Sequence, residues 1–166
     1  RQADKYHVPR IAFINKMDRE GADYYGTLEE IEKRLECRPV PVNLPIGSGP
    51  AHFKDSFRGI IDLITMKSLR FIEDKQSAQV ISEEIPPEFL DDARMWRHQM
   101  LDQLALYSDR LTELLLTEEP VPEELIRSVI RQASIGNMIV PVLCGTALHG
   151  IGVQPVLDAV VDYLPS

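Results

Sequence analysis

Apolar positions along the chain fall into two kinds of pattern. Residues 11–14 (Ile-Ala-Phe-Ile) and 138–143 (Met-Ile-Val-Pro-Val-Leu) are short, continuous apolar runs. Such runs mark strands buried on both faces of a parallel sheet. Each is followed by a helical pattern. After the first, Leu28, Ile31 and Leu35 recur at helical spacing, and Thr27 with Glu30 has the interval of a capping box, although the helix could begin a turn earlier. After the second, a helix is predicted over 153–164. Pro155 suits its first turn, Leu157, Val160 and Leu164 form its apolar stripe, and Pro165 ends it. Two strand–helix units of this kind predict an α/β fold built on a doubly wound sheet.

The chain between those units follows a different pattern. Val40, Val42, Leu44 and Ile46 alternate with Pro41, Asn43 and Pro45, the signature of an extended, edge-like segment. Strands are expected over 57–64 and 68–72. Past Pro86-Pro87, the residues Phe89, Ala93, Trp96, Met100 and Leu104 keep helical spacing and should face a core. Leu111, Leu114 and Leu115 mark a short helix. Pro122, followed by Glu123 and Glu124, opens another that runs to about residue 134. This is far more chain than the few residues that usually connect α/β elements. Residues 39–134 therefore read as a small α+β insert between two parts of one sheet domain, 1–38 and 135–166.

The candidate chemistry sits at the ends of the two apolar strands. Asn15-Lys16-Met17-Asp18 directly follows the first, and a strand ending in Asn-Lys-x-Asp resembles the guanine-reading turn of P-loop GTPases. A carboxylate such as Asp18 can accept two hydrogen bonds at once, from the ring N–H and the exocyclic amino group of guanine. Adenine offers no such pair, and an unsatisfied buried carboxylate is costly. Lys16 would lay its stem along the base, and Asn15 would tie the turn to neighbouring loops. Cys144-Gly145-Thr146-Ala147-Leu148 follows the second strand. In such GTPases the equivalent loop supplies a hydroxyl that orients the Asp, here Thr146, and a backbone N–H for the guanine oxygen, here at Ala147, with Leu148 beside it. Both loops leave the carboxyl ends of parallel strands, where open sheets bind ligands.

The phosphate-binding string Gly-x-x-x-x-Gly-Lys-Ser/Thr is absent from these residues. Gly47-Ser48-Gly49-Pro50 has no Lys-Ser/Thr after it and reads as an ordinary turn. No Asp-x-x-Gly precedes Asn15. The opening Arg1-Gln2-Ala3-Asp4-Lys5-Tyr6 reads as the end of a helix and lacks an initiator Met, so a piece of a longer protein is expected.

Charge and composition narrow the partners. The net charge is −8, and the stretch from Glu83 to Glu124 holds twelve carboxylates against three arginines. That balance disfavours contact with a phosphate backbone and suits a solvated face or a dock for a basic partner. Cys37 and Cys144 lie far apart and read as reduced, mostly buried thiols of a cytosol-like compartment, the bacterial cytoplasm or else an organelle. His7, His52, His98 and His149 share no metal-like spacing. No apolar stretch reaches membrane-spanning length, and no signal peptide is legible.

With these motifs in place, a resemblance along the whole chain becomes specific. The residues from Arg1 to Arg19, the blocks Gly21-Ala22-Asp23 and Leu44-Pro45-Ile46-Gly47, residues 59–64, and the ending from Gly152 to Ser166 resemble the translation elongation factor G family. It is weakest between Asp74 and Ala133. The resemblance implies a ribosome-bound translational GTPase that drives tRNA and mRNA translocation, with GTP or GDP as nucleotide. This chain would be the C-terminal half of its P-loop GTPase domain, with the inserted G′ subdomain facing the C-terminal domain of the ribosomal stalk protein. Glu88, Asp91, Asp92 and Asp102 are the candidate contact with that partner. The resemblance also implies that the Mg2+ ligands, both switches and the catalytic residue lie elsewhere. The chain alone would then bind guanine nucleotide very weakly, because the phosphate contacts are missing. Thr146 stands where Ser is usual, and Leu148 where Phe is common. A ribosome-recycling paralogue, or a purely protein-docking role for the acidic insert, would fit the same residues.

Overall fold

The computed structural model of the protein describes residues 9–35, 38–73, 78–145, 158–159 and 162. Their order is β1 (Ala12–Ile14), α1 (Tyr24–Leu35), β2 (Pro39–Pro41), β3 (Asn43–Ile46), β4 (Gly59–Asp62), β5 (Lys67–Glu73), β6 (Ala78–Glu83), α2 (Pro87–Ala105), α3 (Asp109–Leu116), α4 (Glu123–Ile135) and β7 (Val140–Cys144). Among the described residues the strands form two sheets. One is parallel, in the order β1-β7-β2, and the other is antiparallel, in the order β3-β4-β5-β6. The two apolar runs thus lie side by side, with Ala12 opposite Val142 and Ile14 opposite Cys144.

The residues from Pro39 to Ile46 pass from one sheet to the other. Pro39, Val40 and Pro41 pair with β7, and the next four residues after Val42 pair antiparallel with β4. β2 and β3 are both edge strands, which accommodates Pro39, Pro41 and Pro45 without their amide donors. All three residues of β2 and all four of β3 are buried, so the alternation in sequence does not separate a wet face from a dry one. The handover falls at Val42 rather than at residue 39, and β2 belongs to the parallel sheet. Val42 donates its N–H to the carbonyl of Val142 at 3.0 Å, while its own carbonyl accepts from Leu63, in the turn after β4, also at 3.0 Å.

Helix boundaries follow their caps. α1 begins at Tyr24, a turn before the Thr27 capping box, because Asp23 Oδ1 accepts the Gly26 N–H at 3.1 Å. Thr27 instead bonds back to the Asp23 carbonyl at 2.8 Å. α2 opens with Pro87 in its first turn, where the missing donor costs nothing. The Ser108 hydroxyl caps α3 by accepting from Leu111 at 3.1 Å. After α4, Asn137 adopts φ 57° and Met138 N–H reaches back to the Ala133 carbonyl at 2.8 Å. This reversal turns the chain directly into β7.

One continuous core joins both sheets and the helices, including Val40, Leu44, Ile60, Ala93, Leu104, Leu111, Ile130 and Val142. Ala93, Met100 and Leu104 of α2 are buried and Phe89 and Trp96 half-buried, as the helical spacing requires. Trp96 stacks on Tyr25 of α1 with ring centroids 5.4 Å apart. Arg97 Nη1 donates to the carbonyls of Leu63 and Ile64 at 2.6 and 2.9 Å. α2 is thereby held against α1 and against the turn that follows β4. β6 goes unmarked in the hydrophobic pattern because it is an edge strand held by backbone pairing to β5, with Val80 45% exposed. Of the helix expected over 153–164, only Asp158, Ala159 and Asp162 are described. They are helical, and Ala159 is buried; Pro155, Leu157, Val160 and Leu164 lie outside the described residues.

Candidate functional site

The turn after β1 is built around one buried side chain. Met17 is 1% exposed, whereas Asn15 and Lys16 are exposed and Asp18 half-buried. Pulling Met17 into the core leaves its polar neighbours at the surface, at the carboxyl end of the parallel strands. Lys16 adopts φ 63°, a left-handed conformation that is uncommon for a residue with a side chain. Asn15 Oδ1 accepts the Lys16 N–H at 2.8 Å, and Arg19 N–H closes on the Lys16 carbonyl at 3.1 Å. These local bonds offset the strain of the turn.

Two further contacts fix the turn from outside. Met17 N–H donates to the Gly145 carbonyl at 3.1 Å, and Gly145 N–H donates to Ile14, also at 3.1 Å. The loops leaving β1 and β7 are therefore tied to each other. On the other side, Gly49 N–H donates to the Met17 carbonyl at 2.9 Å, and the Ser48 hydroxyl donates to the Ala22 carbonyl at 2.7 Å. Gly47-Ser48-Gly49, an ordinary turn by sequence, reaches back to the Asn15–Asp18 turn. Gly47 has φ 78°, and a Cβ there would overlap the Ser56 carbonyl oxygen, so this tight path requires glycine.

The structure brings Asn15, Lys16 and Asp18 together at one turn and sets Gly145 against it. Thr146, Ala147 and Leu148 lie outside the described residues. Glu88, Asp91, Asp92 and Asp102 are all exposed on α2, and Asp92 lines a hollow that also includes Met17 of that turn. Asp91 faces Arg94 at 4.0 Å, and Asp102 faces His98 at 3.3 Å. Asp92 borders a hollow of about 360 Å³ together with Tyr25, Phe89 and Ser48. Among the described residues, no group of three or more His, Cys, Asp or Glu side chains is arranged to hold a metal ion. Among the same residues, no helix is long and apolar enough to cross a membrane.

Cys144, at the end of β7, is fully buried, and burial pushes its thiol well above the usual range. A raised folded pKa means that its contribution to stability is complete below the unfolded value, near 8.5, and is lost as pH rises through and beyond it. Because each unit of pKa lowers the thiolate fraction about tenfold, alkylation of native Cys144 at pH 8 is expected to be at least about tenfold slower than in urea. Peptide mapping by mass spectrometry reads this, and equal rates would contradict the buried placement.

A parallel sheet whose carboxyl-end loops are joined in this way, with a second sheet spliced in before its central strand, is the α/β fold of a P-loop GTPase domain. Residues 1–166 match the family described as the elongation factor Tu GTP binding domain, and the chain belongs to that family. It is 46% identical over all 166 residues to elongation factor G of Thermotoga petrophila, and equally to that of Thermotoga maritima. A solved protein structure from Thermus thermophilus superposes with a TM-score of 0.78 at 26% identity, over 99% of this chain and 23% of that one. The chain likewise spans 23% of the length of the Thermotoga relatives.

Proposed function

We propose that this chain forms the guanine-reading part of a ribosome-dependent translational GTPase of the elongation factor G type, which hydrolyses GTP as tRNA and mRNA are translocated. The observation that carries this reading is the Asn15–Asp18 turn, held at the carboxyl end of β1 by Met17 and Gly145. In this reading Asp18 accepts the two guanine donors, and Lys16 lies along the base. Asn15 stabilises the left-handed turn that presents them, which its bond to Lys16 supports. Thr146 orients Asp18, Ala147 offers its N–H to the guanine oxygen, and Leu148 flanks the base. Phosphate and Mg2+ contacts come from outside this chain, so residues 1–166 alone do not hydrolyse GTP.

Residues 1–41, β2 included, and 135–166 act as the nucleotide-binding part, and 43–134 as an insert that meets the ribosomal stalk. Exposed Glu88, Asp91, Asp92 and Asp102 supply its acidic surface. The full-length protein is expected to hydrolyse GTP when ribosomes are added, and no stimulation by ribosomes would sink the assignment. In the same protein, Asp91→Lys with Asp92→Lys should weaken binding to the isolated stalk protein. Unchanged binding would remove that surface from the contact.

A further inference from the structure

We propose that Asn43, at the switch between the two sheets, is a positioning residue for guanine selectivity. The inference rests on the base-reading role assigned to Asp18. In the parallel ladder, Val140 N–H donates to Arg38 and Val42 N–H donates to Val142. The next rung would run from Cys144 N–H to the Val42 carbonyl. That carbonyl accepts instead from Leu63, in the turn directly after β4. The Asn43 side chain supplies the missing acceptor: its Oδ1 takes the Cys144 N–H at 2.9 Å, in a fully buried setting. Its own carbonyl accepts from the buried Tyr24 hydroxyl at 3.0 Å, which anchors the switch to α1.

Cys144 directly precedes Gly145, whose N–H and carbonyl hold Ile14 and Met17. Asn43 therefore fixes the end of β7, Gly145 carries that position to Met17, and Met17 carries it to Asp18. The Gly49 N–H on the Met17 carbonyl and the Ser48 hydroxyl on Ala22 complete the bracket from the same insert. An unsatisfied buried N–H at Cys144 would let this end of the strand shift, and a carboxylate that must meet two donors at once tolerates little displacement.

The test compares GDP with IDP, whose base lacks the exocyclic amino group, in the full-length protein. Both nucleotides see the same folded population, so loss of folded protein does not change their affinity ratio. Asn43→Leu is expected to narrow the GDP-to-IDP ratio at least about threefold, the scale of one misaligned hydrogen bond. Asn43→Asp keeps an acceptor oxygen at the same reach and should restore most of it. Should Asn43→Leu fail to fold, Asn43→Ala, which also removes the acceptor, decides by the same ratio. A wild-type ratio in the folded Asn43 variant, alongside an Asp18→Ala variant that loses the preference, overturns the positioning role alone. A wild-type protein without preference for GDP over IDP overturns the base-reading assignment and the inference with it.

Discussion

Asp18→Ala in the full-length protein is expected to weaken GDP binding by about a hundredfold or more. Hydrogen bonds to a charged group contribute about 1.5–3 kcal/mol each. Two of them amount to at least about 3 kcal/mol, and every 1.4 kcal/mol is a factor of ten in affinity. The loss should fall on the base and not on the fold, because Asp18 is only half-buried while the adjacent Met17 carries the packing. Titration with a fluorescent GDP analogue measures the change. A loss smaller than about tenfold would mean that fewer than two charge-assisted bonds form, and would remove Asp18 from the base.

The second large effect concerns the packing of α2 in the core. Leu104 of α2 is fully buried within the cluster that joins both sheets. Leu104→Ala removes its contacts and leaves a cavity, at a cost of about 2–5 kcal/mol. Leu106, two positions later and 65% exposed, should tolerate the same substitution within about 0.5 kcal/mol. Urea unfolding followed by tryptophan fluorescence is a suitable probe, since Trp96 lies on the same helix. Equal midpoints for the two variants would contradict the packing described for α2.

Leu104 and Leu106 also show what periodicity can resolve. Helical spacing from Phe89 to Leu104 marks the buried face correctly, because one face of α2 repeats against one core. The two strand runs and the Asn-Lys-Met-Asp turn were legible for a similar reason: their signals are contiguous in the chain. The start of α1 was less so, since Asp23 and Thr27 both carry capping chemistry and only the bond to Gly26 separates them. β6 escaped because an edge strand is held by backbone pairing, which leaves little trace in side-chain hydrophobicity. Asn43 and Gly49 escaped for a stronger reason. The partner of Asn43 is 101 residues away in sequence, and that of Gly49 is a backbone carbonyl.

The residues alone determined the kind of sheet, the location of the Asn15–Asp18 turn and the length of chain that separates the two apolar strands. These follow from local periodicity and from carboxylate and amide chemistry that a short segment carries by itself. Only the tertiary structure decided that the insert braces the turn. Val42 changes sheets, Asn43 takes over its rung, and Gly49 closes on Met17. Each of those steps satisfies a buried backbone group across a long loop, and which group needs a partner is defined only when the two sheets are packed together.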